Sequence, residues 1–178
     1  EEILSTLTTT KIAKNLIENL ETDDAADVIQ EMSDPMQKEV LSQIKNQEHA
    51  EDIEDLLSYD ENSAGALMGK ELIKVNKNWS IIRCLVEMRR QAKNVDEVYT
   101  IYVVDKKEKL IGTVSLKKLL LTPEKTFIEK IYNDKIISVS TRIKDEEVAN
   151  IMNKYDLIVL PVVDEKGILV GRITIDDV

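Results

Sequence analysis

The sequence predicts a mixed, multidomain α+β chain: a short-helix, all-α superhelical domain followed by a tandem pair of β-α-β-β-α domains. Three observations carry this reading. Acidic charge is concentrated in the first third of the chain. The apolar periodicity changes from helical to strand-like just before residue 70. A long segment then repeats itself at a constant offset of 59 residues.

The charge split comes first. Residues 1–63 hold 17 Asp and Glu against 4 Lys, whereas residues 64–178 hold 17 acids against 20 Lys and Arg, for a net charge of −10. Halves so different in charge read as separate domains. The acidic half repels phosphates, which excludes nucleic acid as its partner. It suits divalent cations or a basic protein surface, and a plain solubilising surface is the bland alternative. An apolar content of 43% supplies a core, and a single cysteine rules out an internal disulfide, which fits a reducing compartment. No apolar run approaches the ~18 residues that a membrane-spanning helix needs. The chain begins without Met and stops just after a strand-like run, so it reads as a piece of a longer protein.

The acidic half is helical throughout. "KIAKNLIENL" (11–20) places Ile12, Leu16, Ile17 and Leu20 along one helix face. "TDDAADVIQEM" (22–32) opens on Thr22 or Asp23 as N-cap and keeps its acids in the first turn. "SDPMQKEVLSQI" (33–44) does the same, with Pro35 where a helix start tolerates it. "AEDIEDLLSYD" (50–60) supplies a last short helix. Leu20, Met32 and Ile44 close successive segments every 12 residues, a spacing that suggests an α-solenoid-like stack. No glycine precedes Gly65, as an all-helical piece requires.

After "SYDENSAGALM" (58–68), β-branched runs appear: "LIKV", "TIYVV", "LIGTVSL", "IISVS", "LIVLPVV" and "LVGRITI". Helix-like "SIIRCLVEMRRQ" and "KDEEVANIMNKY" lie between them, an alternating α/β pattern. "YVVDKKEKLIGTVSLKKLL" (102–120) matches "PVVDEKGILVGRITIDDV" (161–178). Val103, Val104, Asp105, Gly112 and Ser115 align with Val162, Val163, Asp164, Gly171 and Thr174. Two tandem copies predict a pseudo-twofold pair packed against one another.

On these residues the doubled unit resembles a pair of cystathionine-β-synthase (CBS) domains, the hairpin "VVD…G…G-x-[IV]-[ST]" being its specific part. The order of an acidic helical domain, then "YDENSAGALM", then a CBS pair with "KYDLIVLPVVDEKG" resembles the cytosolic region of the MgtE family of magnesium channels and transporters, over essentially the whole chain. The resemblance implies residues 1–60 as the C-terminal part of the acidic helical domain. It implies 61–123 as the first CBS domain and 124–178 as the second, cut before its final helix. It further implies a homodimer through the CBS domains, at the cytoplasmic face of the cell membrane, joined to a transmembrane pore domain that this chain lacks. Mg2+ ions between the acidic domain and the CBS pair would close the assembly and shut the pore.

By motif position, the resemblance points to Asp23 and Asp27 on the acidic helix as Mg2+ ligands. It also points to Glu146 and Asp156 in the second copy and to Asp177 after its last strand. Asp23 and Asp27 are i, i+4 neighbours on one helix face. Carboxylates suit Mg2+, a hard cation with oxygen ligands. Asp176 and Asp177 are also expected at the opening of a helix, where either serves as an N-cap without any metal. Glu146 and Asp156 are separated by ten residues, about 15 Å if helical. Either that helix ends early and the chain turns back, or the two serve different ions or different subunits.

The CBS resemblance raises ATP as a second ligand. Gly171, Thr174 and Asp177 fit a "G-h-h-[ST]-x-x-[DN]" stretch that sets a hydroxyl near phosphate and a carboxylate near ribose. The first copy has Gly112 and Ser115, but Lys118 replaces the acid. A nucleotide-sensing CBS module and an acidic docking scaffold are the rival classes. His49 is expected to be exposed, Cys84 to pack in the core, and Trp79 to cover a helix end. There is no P-loop, no G-x-G-x-x-G, no zinc-type Cys pair and no nucleophile–His–acid set, so no enzyme is expected.

Overall fold

The computed structural model describes residues 8–95 and 97–178. Its acidic part is built from α1 (Thr9–Asn15), α2 (Thr22–Gln30), α3 (Asp34–Gln43) and α4 (Gln47–Leu56). α1 packs on α3 and α2 on α4, so each helix rests on the next but one. The helix expected over 11–20 breaks at Leu16 and resumes as a single 3-10 turn at Ile17–Asn19. On an unbroken helix Ile12 and Ile17 would point about 140° apart. The tighter turn brings both into the core, where each is fully buried.

The short α5 (Ala64–Leu67) leads into two similar units. The first comprises β1 (Ile73–Asn76), α6 (Ile81–Gln91), β2 (Ile101–Val104), β3 (Leu110–Val114) and α7 (Leu116–Leu121). The second comprises β4 (Val139–Ser140), α8 (Asp145–Tyr155), β5 (Val159–Val163) and β6 (Leu169–Thr174), ending in a 3-10 turn at Ile175–Asp177. In each unit the first two strands are parallel and the last two antiparallel, in the order β1-β2-β3 and β4-β5-β6.

The repeat extends to backbone detail. Both hairpins carry an irregularity at the aligned Val103/Val104 and Val162/Val163. The aligned aspartates hold the hairpin turns. Asp105 Oδ1 accepts from the N–H groups of Lys107 and Lys109 at 2.7 and 3.0 Å. Asp164 Oδ1 accepts from those of Lys166 and Ile168, both at 2.8 Å. The two turns then meet, with Leu110 N–H donating to Gly167 O at 3.0 Å and Leu169 N–H to Glu108 O at 3.2 Å. Tyr102, Val104 and Leu169 fill the seam between the copies.

The two units bury themselves differently. The first has its own core around Ile73, Val75, Cys84, Ile101 and Leu119, with Trp79 against it. Cys84 is fully buried, as its place on an amphipathic helix predicts. The second shares one continuous core with the helical domain. Ile29, Ile53 and Leu56 join Ala64, Met68, Val139, Val162 and Ile173. The helical domain is therefore docked on the second copy. The segment around Met68 and Gly69 runs along β6, with Gly69 N–H and Arg172 N–H each bonded to the other's carbonyl at 2.8 and 2.9 Å. A Cβ on Gly171 would lie 2.6 Å from Met68 Sδ, so this close approach needs glycine.

Candidate metal site at the domain interface

The first turn of α2 meets the segment before β1. Glu71 reaches back 49 residues and grips Thr22 with both carboxylate oxygens, one on the Thr22 N–H and one on its hydroxyl, each at 2.9 Å. The Thr22 hydroxyl accepts in turn from Lys70 N–H at 2.8 Å. Helix termini leave N–H groups unpaired, and here a carboxylate from another domain satisfies one. This corrects the expected cap. Glu21 holds the N-cap position, Thr22 is the first helical residue, and neither Thr22 nor Asp23 caps locally. Nearby, Lys70 Nζ pairs with Asp55 Oδ2 at 2.6 Å.

Into the same place β6 projects Arg172, whose side chain is only 5% exposed. Its Nε donates to Glu71 O at 3.1 Å and its Nη2 to Glu21 Oε2 at 2.5 Å. Its Nη1 stands 3.8 Å from Asp23 Oδ2 and 3.7 Å from Asp177 Oδ2. Gly69 makes room for this. A Cβ there would lie 3.0 Å from Arg172 Nη1 and 3.2 Å from both Asp23 Oδ2 and Glu71 Oε2.

Carboxylate oxygens of Glu21, Asp23 and Glu71 all lie within 4.8 Å of one another. Asp23 is pushed from an ordinary 3.8 up to about 7, first by burial and then by the Asp177 charge, against the pull of Arg172. Asp27 is raised too, by burial, then by Asp24 and Asp177. Asp52 on α4 is raised chiefly by burial, with Lys70 opposing. Asp23 Oδ1 and Arg172 Nη1 are buried without a hydrogen-bond partner.

The structure thus brings Asp177 into electrostatic reach of both Asp23 and Asp27. Asp177 is not the N-cap of the terminal turn. Thr174 is, and Asp177 sits at the third position of a capping box. Its Oδ2 accepts from the Thr174 N–H at 2.7 Å and from the Thr174 hydroxyl at 2.9 Å. The box satisfies two donors at once, which an aspartate at the cap itself would not do. Asp176 is exposed.

Glu146 in the first turn of α8 and Asp156 just past its C-terminal end lie apart, both exposed. α8 runs unbroken between them, so the chain does not turn back early. Asp156 ends the helix in a left-handed conformation, φ 52° and ψ 50°. Among the described residues, no ion pair or hydrogen bond ties either to the Arg172 cluster.

As for a nucleotide, Thr174 and Asp177 are engaged with each other, and the cleft by Arg172, Tyr102 and Val159 holds about 10 Å3. In the first copy Ser115 caps α7 by accepting the Lys118 N–H at 3.1 Å, and Lys118 is exposed. A larger groove of about 650 Å3 runs between α4 and the first unit, lined by His49, Asp52, Lys70, Trp79 and Gln91. His49 is half-buried rather than exposed, because its Nε2 lies 3.1 Å from Ile17 O.

Glu21, Glu71 and Arg172 were not singled out by sequence. One signal was available for Arg172: a lone charge inside the apolar run "LVGRITI", where a buried position demands a partner.

Family models for the MgtE intracellular N domain and the CBS domain match residues 1–62 and residues 64–123 and 128–178, respectively. A solved cytosolic domain of the Mg2+ channel MgtE in complex with ATP superposes with a TM-score of 0.82 and 36% identity, over 99% of this chain and 76% of that one. The chain belongs to the MgtE family. The soluble part of a magnesium transporter superposes at TM-score 0.87 with 30% identity, over 99% of this chain and 68% of that one. The magnesium transporter MgtE of Thermus thermophilus is 39% identical over 158 residues, which cover 88% of this chain and 35% of the transporter. That of Bacillus subtilis is 26% identical over 167 residues, covering 94% and 36%. This MgtE chain therefore spans about a third of the length of the curated relatives it matches. Among the described residues, no helix is long and apolar enough to cross a membrane.

Proposed function

We propose that this MgtE segment is the Mg2+-sensing cytosolic region of a magnesium channel or transporter, joined in its parent protein to a transmembrane pore domain and paired as a homodimer through its CBS domains. The observation that carries the proposal is the convergence of Asp23 and Asp27 of the helical domain with Asp177 of the second CBS copy. The donors fit the ion. All are hard carboxylate oxygens, and Asp23 Oδ1 is buried with nothing to bind. Asp23, Asp27 and Asp177 would hold Mg2+ at the domain contact. Glu146 and Asp156, on the open surface, would serve separate ions or a neighbouring subunit.

Bound Mg2+ supplies positive charge where carboxylates of two domains crowd together. Without it their repulsion favours separation; with it, closure. A ligand shifts such an equilibrium only by its differential affinity for the two states, and ligands drawn from two domains provide that difference. Closure would reach the pore through a connecting helix and shut it, a negative feedback on Mg2+ entry. Small-angle scattering during a Mg2+ titration, against NaCl of matched ionic strength, tests this. Compaction is expected with Mg2+ alone and weakened in Asp23→Asn and Asp177→Asn; equal responses to Mg2+ and NaCl would discard the reading.

A second reading is an adenine-nucleotide sensor, favoured by the relative solved with ATP. Lys118 in place of the acid, and the Thr174–Asp177 capping box, weigh against it. Calorimetric ATP binding without any Mg2+-specific compaction would promote it.

A further inference from the structure

We infer that Arg172 is a resident counter-cation: it holds the helical domain on the second CBS copy from within, standing among Glu21, Asp23 and Asp177 where a free cation would otherwise be required. The inference rests on the Mg2+-sensing reading and adds to it a part of closure that needs no Mg2+.

The geometry is specific. One guanidinium engages three carboxylates from three places: the residue before α2, the first turn of α2 and the turn after β6. Two of these belong to the helical domain and one to the CBS copy, so the charge bridges the interface. The side chain cannot leave easily. Its backbone is paired with Gly69 on one side and Pro161 on the other, and Nε is bonded to Glu71 O. Nη1 forms no hydrogen bond and faces Asp23 and Asp177 at ion-pair distance. A buried ion pair is screened much less by salt than a surface one. Removing one partner leaves uncompensated buried charge, which is strongly destabilising. Here the uncompensated groups would be carboxylates of opposing domains, so the loss falls on the docked arrangement.

One positive charge does not neutralise the cluster. Glu21, Asp23 and Asp177 face a single guanidinium, with the Glu71 carboxylate within 4.8 Å of those of Glu21 and Asp23, and the remaining negative charge is what Mg2+ would answer. Arg172 would thus set how much of closure depends on the ion. With Arg172 present, part of closure is permanent; with it gone, all of it must come from Mg2+.

The test compares the wild-type chain with Arg172→Gln by small-angle scattering, first in EDTA and then in saturating Mg2+, with bound Mg2+ counted by equilibrium dialysis. In EDTA the variant is expected to be more expanded than wild type. Saturating Mg2+ is expected to restore its compactness with about one more ion bound per chain. Equal radii of gyration in EDTA would overturn the inference. Expansion that Mg2+ does not reverse would overturn the claim that Arg172 stands in for a cation. Should Arg172→Gln lose its circular-dichroism melt, Glu21→Gln decides instead. Glu21 is part-exposed and releases only the Nη2 contact; expansion in EDTA supports the inference and none refutes it. A wild type insensitive to Mg2+ beside an expanded variant would end the sensing reading and leave the latch standing.

Discussion

Asp23 faces two opposing influences. Burial and the Asp177 charge favour its protonated form, while Arg172 favours the carboxylate, and the balance leaves it titrating at about 7. The sign of the resulting pH dependence follows. A carboxyl whose value is raised on folding binds more protons folded than unfolded between the two values, so stability falls as pH rises from about 4 to about 7. Asp27 and Asp52, also raised, act in the same direction. Without Mg2+, the docked state is therefore expected to be more resistant to urea at pH 5.5 than at pH 8, and Asp23→Asn to flatten much of that difference. An unchanged pH dependence in Asp23→Asn would show that Asp23 is not the group responsible. Asp23 and Asp27 were named from the family resemblance, and the sequence by itself shows only that they stand four residues apart on one helix face. Arg172 and Glu71 were not legible, because their partners Glu21 and Thr22 lie 151 and 49 residues away. Residue type marks such charges as needing a partner but does not say which one.

At the scale of elements, α2 starts differently from its sequence. Local chemistry offers Thr22 or Asp23 as cap, yet tertiary contact moves the start back to Glu21 and recruits Glu71. The cap of α2 is thereby also a bond between domains. A lost intramolecular hydrogen bond costs about 1 kcal/mol. Thr22→Ala is expected to lower stability by roughly that amount, and Glu71→Ala by at least as much, since it releases both Thr22 contacts. Double-mutant cycles in urea check whether the two losses overlap; full additivity would mean that the residues do not act together. α8 followed from 3.6-residue periodicity to within a residue, and most strands from β-branched runs, but "IISVS" (136–140) is a strand only at Val139–Ser140. The break in the first helical segment did not, since either continuation is locally acceptable and only burial of Ile17 decides. The hairpins were read through their repeat. Asp105 and Asp164 recur because each holds the same turn by accepting two backbone N–H groups.

At the scale of the molecule, the first CBS copy leaves an apolar surface uncovered. On α6, Ile82 and Val86 are 51% and 58% exposed, and on α7 Leu120 and Leu121 are 64% and 75% exposed. Ser80 bridges Phe127, and Ile82 N–H donates to Glu124 O at 3.2 Å, so the start of α6 and the segment after α7 lie side by side. Phe127 adds its own exposed ring, 47% open. Single exposed apolar side chains are ordinary, whereas a contiguous group marks an interaction surface. The second copy is covered in part by the helical domain, with which it shares one core, although Ile158 after α8 stays 63% exposed. A second chain on the α6–α7 surface would complete the burial by twofold symmetry, the commonest arrangement for a soluble homo-oligomer. It would also leave the Arg172 cluster free to open and close, since that cluster lies against the other copy. Light scattering after gel filtration is expected to return twice the 20.3 kDa chain mass for wild type and the single-chain mass for Leu120→Glu/Leu121→Glu. The double variant should keep its Mg2+-dependent compaction, because nothing in the Asp23–Asp177 contact touches α7. A monomeric wild type would remove the dimer from this account and leave the surface to another part of the parent protein. A variant that becomes monomeric and also loses compaction would mean that sensing needs both chains, which would assign the exposed Glu146 and Asp156 to an ion shared between subunits.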